Sequence, residues 1–145
     1  MKRYEHTQVG YLIITAMAAA IVLIGIVLAN AGMNWIAIGV MVVVAAALVL
    51  FSSLTVTIRD NNLEVRFGPG MIRKQFNLQD IESCRVVTNP FYYGWGIRLT
   101  PHGWLYNVSG FQAVEIKLRT GKKFRIGTDA PQELKTAIQQ ALSGR

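Results

Sequence analysis

Residues of the types that do acid–base or covalent chemistry are few here, and they are scattered. The histidines are His6 and His102, the latter inside the turn Pro101-His102-Gly103, and Cys84 is the single cysteine. No HExxH, CxxC or paired-histidine spacing is present, so a zinc site has no ligand set to work with. His102 has no nameable nucleophile to activate and reads as a solvent-facing turn residue. Gly68-Pro69-Gly70 and Gly94-Trp95-Gly96 lack the continuation and the lysine of a phosphate loop, which leaves them as turns. Asn107-Val108-Ser109 fits a glycosylation sequon, a chance match if it faces the cytoplasm. No catalytic residue, metal or cofactor is assigned, and an enzyme ranks third among the functional readings.

Two clusters remain that suit binding rather than catalysis. Phe91, Tyr92, Tyr93, Trp95, Trp104, Tyr106 and Phe111 are half of the chain's aromatics within 21 residues. Trp104, Tyr106 and Phe111 are expected in a β core. Phe91-Tyr92-Tyr93 follows Pro90, and consecutive aromatics cannot all point inward. With Trp95 they form the candidate interaction surface, meeting lipid or a protein partner. The second cluster is charge. After Ile58 there are 13 Lys and Arg against 7 Asp and Glu. Arg59, Arg66, Arg73 and Lys74 are candidate contacts to an anionic leaflet, each worth about 1 kcal/mol near the surface. Nucleic acid is the rival partner for a basic domain, but no recognised motif accompanies the charge, and none is expected.

The elements that must carry these clusters are of two kinds. From Thr7 to Ile58, 52 residues pass without one Asp, Glu, Lys, Arg or His, whereas 20 of the following 87 residues are charged. The second figure is close to the norm of about one in four for a soluble domain. Val9 to Ala29 is 21 residues of nearly pure apolar character, about 31 Å as a helix, enough for the hydrocarbon core of a bilayer. Asn30 to Asn34 breaks the run and Trp35 onward resumes it. The spacing predicts a membrane hairpin with spans at 9–29 and 35–53, an external loop at 30–34, a short tail at 1–8 and a soluble domain at 54–145. A cleaved secretory signal is disfavoured, because the first run exceeds the usual 7–15-residue core and a second span follows at once.

Lys2 and Arg3 flank one end of the hairpin and Arg59, Arg66, Arg73 and Lys74 follow the other, while its loop has no charge. The positive-inside rule then puts both termini in the cytoplasm, at the inner face of the cell membrane. A lone cysteine agrees with a reducing compartment. Ala16/Ala20 and Gly25/Ala29 are small-residue pairs that let helices approach closely, although such residues are common in any spanning helix. The spans hold no ionisable group, which counts against a pore or transporter.

Beyond Ser53 the period changes to two. Leu54, Val56 and Ile58 alternate with polar residues, turn at Asp60-Asn61-Asn62, and return through Leu63, Val65 and Phe67. A second hairpin joins Val114, Ile116 and Leu118 to Phe124 and Ile126. Asp129 is the expected N-cap of a final helix with Pro131 in its first turn and Leu134, Ile138, Ala141 and Leu142 on one face. About seven strands followed by one amphipathic helix are expected.

Leu63 to Gly70 (Leu-Glu-Val-Arg-Phe-Gly-Pro-Gly), then Leu78-Gln79-Asp80-Ile81, resembles the start of bacterial pleckstrin-homology-like domains attached to membrane hairpins. Gly94-Trp95-Gly96-Ile97-Arg98, Trp104 to Gly110 and Arg125 to Asp129 are similar to the pattern of an uncharacterised branch of that family. The resemblance covers positions 54–142 and the two-span leader. It implies two near-orthogonal antiparallel sheets capped by a C-terminal helix, and no activity. The eukaryotic domains bind phosphoinositides through Lys and Arg near the first strand-to-strand loop. Here that loop, Arg59-Asp60-Asn61-Asn62, has one basic and one acidic residue, so no ligand residue carries over. The leading expectation is a non-enzymatic membrane-anchored module that binds a protein partner or copies of itself. The alternative is a sensor of a lipid or amphiphile at the bilayer surface.

Overall fold

The computed structural model describes residues 2–94, 96–108 and 110–143. It begins with a strand that the periodicity does not announce. β1 (Lys2–Val9) precedes α1 (Tyr11–Ala31) and α2 (Trp35–Leu50), and β2 (Ser53–Arg59) follows them. β1 and β2 pair antiparallel from Val9 opposite Ser53 to Tyr4 opposite Ile58. Residues 2–8 are therefore paired into the first sheet, and the two helices are an insertion in the turn of a β-hairpin. The inward side chains of β1 are Tyr4, His6 and Gln8, so its alternation is hidden from a hydrophobicity count.

α1 and α2 are apolar all round, and of their side chains only Ile13 is buried. α1 is long and apolar enough to cross a membrane, whereas α2 is shorter. Sixteen residues give α2 about 24 Å. The second helix ends at Leu50 rather than at 53, because Ser53 already pairs with Val9. Asn34 caps α2, its side-chain oxygen accepting from the backbone N–H groups of Ile36 and Ala37 at 2.9 and 3.2 Å.

β3 (Asn62–Phe67) and β4 (Ile72–Asn77) complete a four-stranded antiparallel sheet in the order β1-β2-β3-β4. β5 (Ile81–Thr88), β6 (Gly96–Thr100), β7 (Gly103–Asn107), β8 (Gln112–Leu118) and β9 (Lys123–Gly127) form a second sheet in the order β5-β8-β9-β7-β6. The described residues form nine strands where about seven are expected, and one neighbouring pair, β7 with β9, is parallel. The chain makes that parallel pairing by passing from β7 to the far side of β9 through β8.

The core lies between the sheets. Leu54, Val56, Ile58, Leu63, Val65 and Phe67 of the first meet Val114, Ile116, Phe124 and Ile126 of the second. Burying each such side chain contributes about 1.5–3 kcal/mol. A line of ring contacts runs from the end of α2 through this core, Phe51–Phe67–Tyr106–Phe124–Phe76, the last pair stacked at 3.8 Å. Of the aromatics expected inside, Tyr106 is buried but Trp104 and Phe111 are exposed. Trp104 stands near the start of β7 and Phe111 in the loop just before β8.

α3 (Pro131–Ser143) closes one flank, packing on β5, β8, β1 and β2 with Leu134, Ile138 and Ala141 buried. Its start differs from the expectation. Ala130, not Asp129, directly precedes the helix, and the Thr128 hydroxyl accepts from the Ala130 N–H at 3.1 Å. Asp129 instead pairs with His6 on β1.

Candidate functional site

The helices meet the β domain at a junction built from close backbone approaches. Gly10 donates its N–H to Ser52 O at 2.7 Å. A Cβ on Gly10 would sit 3.0 Å from Val108. Gly68, with φ of 55°, lies so close to the last turn of α2 that a Cβ would be 2.5 Å from Val49 O. Only glycine satisfies both that torsion and that contact. Ile13 joins the β core, and Met17 and Phe51 pack against it. The feet of both helices are thus part of the folded domain.

Beside this junction lies a cavity of about 640 Å³, within the usual range for small-molecule sites. α1 contributes Leu12, Ile13, Ala16 and Met17 from its first two turns, and α2 contributes Ala47 and the adjoining Phe51. The opposite wall is Gly94, Gly96, Ile97 and Arg98, from the entry to β6 and that edge strand itself. Among the described residues Arg98 is the one charged member of this lining. Sequence pattern does not announce the site, because the helical residues read as ordinary lipid-facing ones and Ile97 and Arg98 as part of a strand pattern.

The segment Asn89–Gly94 crosses from β5 toward β6, at the opposite edge of the second sheet. Asn89 donates its N–H to Phe111 O, and its side-chain oxygen accepts from Arg125 at 2.9 Å. Arg125 in turn holds Glu115 at 2.9–3.0 Å, and Arg85 approaches Glu115 from the other side at 3.0 Å. Register explains the row, since Arg85, Glu115 and Arg125 are successive cross-strand neighbours. Burial alone would push the Glu115 carboxyl up, but the hydrogen bond and charge of Arg125, joined by Arg85, outweigh it and hold the group below its usual range. This buried network fixes the crossing segment and has the character of scaffold.

On that segment Phe91 and Tyr92 are 77% and 72% exposed in a single 3-10 turn. Tyr93 is half-buried, with its ring beside His102. Trp95 lies outside the described residues. Arg66 and Arg73 are cross-strand neighbours near the helix end of the first sheet, and Arg59 closes β2 about 13 Å away along the strand, on the same outward face, where it lines a shallow pocket with Arg66. Arg66 is ion-paired with Glu64 and Glu5, and Arg73 donates to Gly70 O. Lys74 lies over the Phe76 ring on the edge strand β4. Arg59, Arg66 and Arg73 share the outer face of the first sheet, whereas Lys74, in register with Val65, lies on the other side.

His102 is exposed. Burial pushes the Cys84 thiol up, against the opposing charge of Lys135, so it is a poor nucleophile. Among the described residues no group of three His, Cys, Asp or Glu is placed to hold a metal. No family model, curated protein or solved structure matches the chain.

Proposed function

We propose that this chain is a membrane-anchored, non-enzymatic interaction module at the inner face of the cell membrane. The observation that carries the reading is the pairing of β1 with β2 across the helical insertion. If α1 enters a bilayer, α2 must return, because the residues before the first helix are hydrogen-bonded to those after the second. That argument supports two spans even though α2 is only 16 residues long. A short second span is accommodated by modest bilayer thinning. The positive charge on the β domain supports the cytoplasmic side for both termini.

The two-sheet domain with its C-terminal helix is in keeping with a pleckstrin-homology-like fold. Held at the surface by both strands, it presents Phe91 and Tyr92 to a protein partner or to a second copy of the chain. Fluorescent reporters that mature only in the cytoplasm should light up at both ends of the full chain. A periplasmic or extracellular signal from either end overturns the topology. Site-specific photo-crosslinking from position 92 should capture a second protein chain, and labelling of lipid alone would transfer the loop to the alternative reading. That alternative, a lipid or amphiphile sensor, is favoured by the apolar cavity at the helix feet.

A further inference from the structure

The cavity has a chemistry of its own, and we propose that it holds an anionic glycerophospholipid, with an acyl chain among the apolar walls and the phosphate on the Arg98 guanidinium. This inference rests on the membrane placement of α1 and α2. Leu12 to Met17 covers about 8 Å along the helix axis. A headgroup layer of about 5–7 Å lies on each side of the hydrocarbon core, so a lipid passes from phosphate to methylenes over that same depth. The lining matches this change of polarity. Leu12, Ala16, Met17, Phe51 and Ile97 supply hydrocarbon surface, and Arg98 supplies a cation. Among the described residues of the lining, no carboxylate opposes an incoming phosphate. A guanidinium suits phosphate because its N–H groups bind two oxygens at once. A peptide side chain would have to leave water for a wall that lipid already reaches. The bilayer is therefore the occupant the position favours.

The site also explains a feature of the fold. Gly94, at the end of the crossing segment, sits in the cavity wall with the Arg98 guanidinium 3.7 Å from where its Cβ would be.

The full-length protein, purified in mild detergent, can be titrated with phosphatidylglycerol or phosphatidylcholine and read by native mass spectrometry. Phosphatidylcholine also presents a phosphate, but its choline cation opposes Arg98, so one phosphatidylglycerol should bind up to about tenfold more tightly. Arg98→Gln should weaken both and erase that preference, and Arg98→Lys should restore part of it. Ala16→Phe, which pushes a ring into the cavity from the α1 wall, should weaken the tight site for both lipids. Arg98 is exposed, and a folded Arg98→Gln, checked by its thermal unfolding, reads the site even if Ala16→Phe impairs folding. Equal lipid loading in the wild type and Arg98→Gln overturns the proposal and leaves annular lipid only. A protein released from membranes by alkaline carbonate would instead overturn the membrane reading on which it rests. A dimer mass lost in Ala16→Phe, with no lipid bound, would assign the cavity to a second copy.

Discussion

α3 and α1 are both helices packed against the same β domain, yet they meet it in opposite ways. α3 turns one stripe inward, burying Leu134, Ile138 and Ala141, and leaves Gln132, Glu133, Gln139 and Gln140 exposed. α1 buries only Ile13 at its foot and exposes Val22, Leu23, Ile26 and Val27. One helix is stabilised by the protein it covers, and the other requires an apolar surrounding that the chain does not supply. The same contrast separates the domain's flanks. The flank under α3 is sealed, while the one at the helix feet contains the open cavity.

The largest effect should come from deleting a contact on the sealed side. Ile138→Ala is expected to lower unfolding stability by about 2–5 kcal/mol, the range for emptying a packed core site. Val27→Ala on α1, measured in detergent, should change it by less than about 0.5 kcal/mol. Equal losses at the two positions would show that α1 packs against protein rather than lipid. Gly68→Ala should come next, at about 1–3 kcal/mol, since it forces both a strained torsion and a clash with the α2 carbonyls. Chemical denaturation of the full chain in detergent would read all three. A neutral Gly68→Ala would mean that the junction yields and the hairpin is loosely held.

A smaller, pH-dependent effect belongs to the network under the crossing segment. Because the Glu115 carboxyl is held below its unfolded value, its contribution is complete above about pH 4–5, where an ordinary glutamate is ionised. It is lost as pH falls through the lowered folded value. Glu115→Gln should flatten that acid limb of the stability profile, and an unchanged limb would mean that other carboxylates govern it.

Legibility in the sequence followed the clarity of each pattern. The strands β2, β3, β8 and β9 and the helix α3 each place apolar side chains on one face, so period alone finds them. β1 escapes because its inward face is Tyr4, His6 and Gln8, which neighbours make burial-worthy and composition does not. Tyr4 is a case in point. Its hydroxyl has no hydrogen-bond partner among the described residues, and burial, then the charges of Glu133 and Asp129, push its pKa up to about 12. The cavity escapes for another reason. Ile13 and Ile97 are 84 positions apart, and no local pattern tells that a helix foot will face an edge strand. Strand register sorts the basic residues in a way composition does not, leaving Arg59, Arg66 and Arg73 on the outer face of the first sheet and Lys74 on the other.

The exposed pair Phe91 and Tyr92 should show the smallest change in stability and the clearest change in association. Pro90 fixes the entry to their turn and Gly94, with φ of 70°, its exit, so the backbone is set by residues other than the aromatics. Their rings touch each other edge-to-face at 5.7 Å and both remain largely exposed. Changing both to Ser should therefore leave unfolding stability within about 0.5 kcal/mol. Exposed aromatic pairs of this size are commonly covered by a partner surface, and truncating an anchor of that kind costs at least about tenfold in affinity. Crosslinking yield from a neighbouring position, compared between the wild type and the double variant, reads that loss directly. A double variant that unfolds would assign the pair to the scaffold with Glu115 and Arg125. An unchanged crosslink would move the interaction surface elsewhere, with Leu99 and Trp104, exposed cross-strand neighbours at the far end of β6 and β7, as the next place to look.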